Sequence, residues 1–114
     1  MKLIIAGGRD YRLKMADYDR LDEINAAERV TEVVSGGARG VDNDGQVWAW
    51  EVGLPVRLFL ADWKQYGKGA GPRRNAEMAA YADAVALFPG GAGTQNMREQ
   101  ADRAGIKVYD FRNT

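Results

Sequence analysis

The sequence predicts a single Rossmann-like α/β domain, doubly wound, with a mainly parallel five-stranded sheet. Two observations carry this. Short, nearly all-apolar runs alternate with longer amphipathic stretches, and glycine pairs directly follow three of those runs. Runs without in–out alternation suit strands buried on both faces, and strict alternation with helices makes the sheet parallel.

Leu3 to Ala6 reads as the first strand, turned by Gly7-Gly8-Arg9-Asp10. A helix follows from about Asp17 to Arg29, with Leu21 and Ile24 one turn apart and Ala27 or Glu28 next. Thr31 to Val34 gives the second strand, which ends at Ser35-Gly36-Gly37. Asp42 or Asn43 is placed to cap a second helix with Val47, Trp50 and Leu54 as its apolar stripe. Gly53 closes that helix and Pro55 prevents its continuation.

Val56 to Leu60 is the third strand, and a glycine-rich loop runs from Ala61 to Gly71. Pro72 suits the first turn of a helix that carries Ala76, Ala79 and Ala80 and ends near Tyr81. Ala84 to Phe88 is the fourth strand, with Pro89-Gly90-Gly91-Ala92-Gly93 as its loop. The last helix sets Met97, Ala101 and Ala104 on one stripe, stops at Gly105 and leads into a strand from Ile106 to Tyr109.

Composition narrows the chemistry. The 114 residues include no cysteine and no histidine, which excludes disulfides, zinc ribbons and histidine acid–base catalysis. No carboxylate cluster suggests a metal, and no cofactor is expected. Sixteen basic residues balance sixteen acidic ones, so no global field draws the chain to anionic polymers or membranes. The first apolar run is too short for a signal peptide or a membrane span, and the cytoplasm is the expected location.

Ligands of open parallel sheets bind beyond the C-terminal strand ends. Glycine there turns the backbone tightly and lets its N–H groups approach an anion, and the following helix adds its positive end. Arg9, Arg39, Lys64, Lys68, Arg73 and Arg74 crowd onto these same loops, which suits a phosphate. No Walker lysine follows the glycines, and no GxGxxG with a ribose-binding acid is present, so a P-loop NTPase and an ordinary NAD dehydrogenase are disfavoured.

Three segments in this register carry a resemblance: Arg74-Asn75-Ala76-Glu77-Met78, Ala82-Asp83-Ala84, and Pro89-Gly90-Gly91-Ala92-Gly93-Thr94. They resemble the R-K-x-E-M, A-D and P-G-G-x-G-T pattern of the LOG (lonely guy) phosphoribohydrolases, members of the SLOG superfamily of Rossmann-like domains. Gly7 to Tyr11, Gly36 to Asp42, Ala61-Asp62-Trp63, and Ala70-Gly71-Pro72 with Arg74-Asn75 are similar to the small YspA, cpYpsA-related SLOG family. The resemblance spans nearly the whole chain. It implies one SLOG-like nucleotide-binding domain over residues 1–114. It also implies that Arg74 is the retained LOG arginine, while Met97 stands where LOG enzymes carry a catalytic glutamate. Methionine neither stabilises an oxocarbenium-like sugar nor orients water, so no catalytic residue is assigned.

The expected ligand-binding set is Gly7, Gly8, Arg9, Asp10, Gly36, Gly37, Ala38, Arg39, Asp42, Arg74, Asn75, Pro89, Gly90, Gly91, Ala92, Gly93 and Thr94. Thr94 could bind phosphate or cap the last helix, and Arg9 could pair with Asp10 at the turn. Glu77 could pair with Arg74 one turn away. Trp63 and Tyr66 could stack a base or cover the sheet end. Arg74 is read as an exposed first-turn residue whose loss barely changes stability. The expected function is a sensor or sequestering module for a nucleotide-like small molecule, without turnover. The alternative is an N-glycosidic hydrolase of nucleoside monophosphates in which Asp10, Asp42, Asp44 or Glu77 replaces the lost glutamate. A homo-oligomer built on dimers is expected, with Trp48 at its interface. Neither a nucleic-acid polymer nor a membrane is expected as partner.

Overall fold

Five parallel strands, in the order β3-β2-β1-β4-β5, form the sheet of the computed structural model, which describes residues 1–113. They are β1 Lys2–Ala6, β2 Glu32–Ser35, β3 Val56–Leu58, β4 Ala84–Leu87 and β5 Lys107–Asp110. The helices are α1 Met15–Glu28, α2 Val41–Glu51, the single turn α3 Trp63–Tyr66, α4 Ala70–Tyr81 and α5 Ala92–Ala104. A 3-10 turn over Gly67–Gly69 joins α3 to α4, so the segment read as loop is largely helical.

Alternation along each strand sends side chains to two cores. Leu3, Ile5, Val33, Ala84 and Ala86 meet Leu21 and Ile24 of α1 and Val41, Trp48 and Ala49 of α2. Ile4, Ala6, Val34, Val85 and Leu87 meet Met78 and Ala79 of α4 and Met97 and Ala101 of α5. The sheet is therefore wound on both faces, as its apolar strands require.

Strand order reverses at the central β1: β2 and β3 lie to one side of it and β4 and β5 to the other. The loops after β1 and β4 part to opposite sides there, opening the crevice in which such sheets take ligands. Gly8 N–H donates to the Pro89 carbonyl at 2.9 Å across that point, and Val41 N–H donates to the Gly8 carbonyl at 3.2 Å. The loops after β1, β2 and β4 are thus fastened together at one end of the sheet.

Local boundaries differ where side chains intervene. Helix α1 starts at Met15, ahead of Asp17, because the Asp17 carboxylate accepts from Lys14 N–H at 2.9 Å and from the Tyr11 hydroxyl at 2.7 Å. Neither Asp42 nor Asn43 caps α2. Gly40 holds that position with φ +75°, and no side chain caps it. Thr94 does not cap α5 either, because Gly91 precedes its first residue. The face of α2 is also rotated from expectation. Trp48 is buried, and its indole N–H donates to Asp22 at 2.9 Å, whereas Trp50 is 66% exposed. Trp48 is therefore core and not an interface residue.

Candidate ligand-binding cleft

Above the β1–β4 crevice lies a cleft of about 510 Å3. Its floor is Ala6-Gly7-Gly8 at the end of β1, one wall is α4, and the opposite wall is the start of α5. From the expected set, Gly7, Gly8, Arg9, Ala38, Asp42, Arg74, Asn75, Gly91, Ala92, Gly93 and Thr94 line it. Asp10, Gly36, Gly37, Arg39, Pro89 and Gly90 do not. Arg39 and Asp10 instead pair with each other at 3.0 Å in solvent, so the Arg9–Asp10 turn pair does not form. Gly36 and Gly90 act from behind the lining. A Cβ on Gly36 would lie 2.6 Å from the Arg74 guanidinium, and one on Gly90 would meet Thr94 and the Gly8 nitrogen.

Arg74 is half-buried, not the exposed residue its sequence position suggested. Its Nη1 donates to the Gly36 carbonyl at 2.9 Å and its Nε to the Asn75 side-chain oxygen at 3.0 Å. Asn75 in turn donates to the Gly93 carbonyl at 3.2 Å and to Asn96 at 3.1 Å. A single chain of bonds therefore runs from the loop after β2, through α4, to the first turn of α5. That turn matters because the opening N–H groups of a helix have no intrahelical acceptor. Gln95 N–H is the first to reach back, to the Gly91 carbonyl at 3.1 Å.

Positive charges outnumber negative ones in the lining. Arg9 and Lys68 make no salt bridge among the described residues, and both line the cleft with Arg74. Burial lowers the Arg74 pKa, with Asp42 opposing that shift. Asp42 is the one acidic lining residue among those described. Burial pushes its carboxyl up to about 6, against the pull of the Ala38 N–H and of the Arg74 charge.

The other carboxylates considered as replacements for the missing glutamate lie elsewhere. Asp44 is buried on the far side of α2, accepting from Arg12 at 2.8 Å and from Leu13 N–H at 3.0 Å. The Arg12 hydrogen bond holds it below the usual carboxylate range. Glu77 is exposed and faces Arg73 at 3.8 Å, not Arg74. Met97 is buried and its side of α5 lines the cleft.

Residues missed from sequence are the apolar and neutral lining. Ala6, Gly71, Pro72, Met78 and Asn96 reach the cleft because α4 and α5 pack together over β4 and β1. The i, i+3, i+4 spacing of Gly71, Arg74, Asn75 and Met78 on one face of α4 was the available signal. Among the described residues no cluster of three or more potential metal ligands occurs, and no helix is long and apolar enough to cross a membrane.

Comparison with known proteins gives the family and the fold. A model of the YspA, cpYpsA-related SLOG family matches residues 1–66. The Gene 61 protein of Mycobacterium phage D29 is 39% identical over 119 residues, spanning 96% of this chain and 95% of the relative. The X-ray structure of DNA processing protein A (DprA) from Streptococcus pneumoniae superposes with a TM-score of 0.72 at 18% identity. That match covers 96% of this chain but 49% of the other, so the chain spans about half the length of that protein. The last match corrects one expectation. Charge balance was read as excluding a nucleic-acid polymer, yet this fold occurs in a DNA processing protein. Net charge is a property of the whole surface, and three cations can still converge on one cleft, as Arg9, Lys68 and Arg74 do here.

Proposed function

Because the chain belongs to the YspA, cpYpsA-related SLOG family, we propose that its cleft binds the phosphate of a nucleotide or nucleotide-derived ligand, as a sensor or sequestering module without turnover. One observation carries the reading: the Arg74 guanidinium, the opening turn of α5, Arg9 and Lys68 all border one cavity. A guanidinium fork and free helix N–H groups are complementary to phosphate oxygens.

A hydrolytic reading is favoured only by Asp42, whose raised pKa suits proton transfer near neutrality. It lacks a second carboxylate in the lining to stabilise developing positive charge on a sugar. Titration calorimetry with nucleoside 5′-monophosphates and their unphosphorylated nucleosides tests the binding reading. Tighter binding of the phosphorylated member is expected, with no free base released on prolonged incubation. Equal affinity for both members would refute the phosphate site, and release of free base would replace the module with an enzyme.

A further inference from the structure

The cleft has a second character beside its cationic one, carried by Trp63 at the start of α3. The neighbouring aromatic, Tyr66, is already engaged: its ring carries the Arg73 guanidinium at 4.3 Å, and it lies outside the main cleft. Trp63 lines the cleft, is 51% exposed, and has no aromatic or cationic partner among the described residues. A half-bare indole in the lining of a cleft is apolar surface without a native covering.

Its position is held from two sides. Asp62 caps α3 by accepting from Gln65 N–H at 3.0 Å, which fixes the turn that carries the indole. The far edge of the ring rests on Gly71, where a Cβ would lie 3.3 Å from Cη2. Glycine at 71 therefore lets the ring lie low against the first turn of α4. Gly71 and Arg74 are three residues apart, hence on one face of that helix. A ligand whose phosphate meets Arg74 is brought past the indole.

We infer that Trp63 is the stacking platform for a planar heteroaromatic ring joined to the phosphate, so that the cleft selects nucleotides over sugar phosphates. This rests on the phosphate reading above. Stacking on an indole tolerates any base, because every base has a π-face. Trp63 therefore separates nucleotides from non-aromatic phosphates and does little to separate one base from another.

Calorimetric titration of wild type, Trp63→Phe and Trp63→Ala with adenosine 5′-monophosphate, cytidine 5′-monophosphate and ribose 5-phosphate tests it. Trp63→Ala is expected to weaken both nucleotides roughly ten- to a hundredfold and to leave ribose 5-phosphate unchanged, with Trp63→Phe close to wild type. Equal weakening of ribose 5-phosphate, or wild-type affinities that do not distinguish it from the nucleotides, overturns the platform while the phosphate site stands. Failure of the wild type to bind any of the three removes the site itself. A second readout needs no change at 63. In a Trp50→Phe chain the nucleotides should quench indole fluorescence and ribose 5-phosphate should not; equal quenching by all three, or none, counts against stacking.

Discussion

The Arg74 guanidinium donates to the Gly36 carbonyl at 2.9 Å, joining residues 38 positions apart in the chain. The arginine expected to serve a ligand alone is also a tie between α4 and the loop after β2. Arg74→Ala is therefore expected to act twice. Binding of a nucleoside monophosphate should weaken roughly ten- to a hundredfold, the range for a hydrogen bond to a charged group. Stability without ligand should fall by about 1–2 kcal/mol, because the Gly36 carbonyl loses a charged donor. Arg74→Lys should recover part of each, since a point charge cannot make the two-pronged contact. Titration together with urea denaturation checks both, and an unchanged denaturation midpoint would contradict the structural half.

Asp42 should make stability depend on pH in a direction opposite to that of most carboxylates. Its carboxyl is raised from the ordinary 3.8 to about 6, first by burial. Between those values the native chain holds a proton that the unfolded chain has released. The favourable contribution is complete below 3.8 and is lost as pH rises through about 6. At about 1.36 kcal/mol per pKa unit, the loss is on the order of 2–3 kcal/mol. Asp42→Asn keeps an oxygen for the Ala38 N–H, bonded at 3.2 Å, and removes the titration. Urea midpoints of the two chains at pH 4.5 and 7.5 should diverge in favour of the variant as pH rises; a constant gap would show that Asp42 does not titrate in this window.

Much of the fold and part of the site could be read from the residues. Strands were legible because each is an apolar run too short for a helix, and the three loops because paired glycines follow those runs. The face of α2 was not, because its buried side looks polar. Gly45 sits there because the Ile5 side chain would lie 2.8 Å from any Cβ. Asp44 is buried there because Arg12 and Leu13 satisfy its oxygens. With those two positions discounted, Val47, Trp50 and Leu54 looked like the core stripe, whereas Val41, Trp48 and Ala49 are the buried apolar members. Pairings set by tertiary approach, Arg39 with Asp10 and Arg74 with Gly36, leave no local pattern to read.

The two tryptophans of α2 should therefore behave in opposite ways. Trp48→Ala removes a buried ring and strands the Asp22 hydrogen bond, and should cost about 3–5 kcal/mol. Trp50→Ala removes a ring that is mostly in water and should stay within about 0.5 kcal/mol of wild type. Trp48→Phe separates the parts, keeping most of the packing and losing about 1 kcal/mol with the hydrogen bond. Denaturation midpoints of the three variants decide the point; equal losses at 48 and 50 would mean that α2 is rotated from the face described.

Gly40 is where the backbone geometry of the site is most exposed to a single methyl group. Its φ of +75° disfavours any side chain, and a Cβ would lie 2.5 Å from the Gly8 carbonyl oxygen and 2.6 Å from that of Arg9. Both obstacles are backbone atoms that cannot swing aside. They belong to the loop on the floor of the cleft, and Val41 N–H is bonded to that same Gly8 oxygen at 3.2 Å. Gly53, at the end of α2, is the control: its φ is +78°, but a Cβ there meets nothing within 4 Å. Gly53→Ala isolates the conformational cost, about 1 kcal/mol or somewhat more. Gly40→Ala adds the displacement of the Gly8–Arg9 segment and should cost about 2 kcal/mol beyond that, within the range for strained positions. Only Gly40→Ala should also weaken nucleotide binding, because it displaces Gly8 and Arg9, which line the cleft. Matching stabilities for the two variants, with unchanged titrations, would mean that the first loop yields freely and does not set the floor of the cleft.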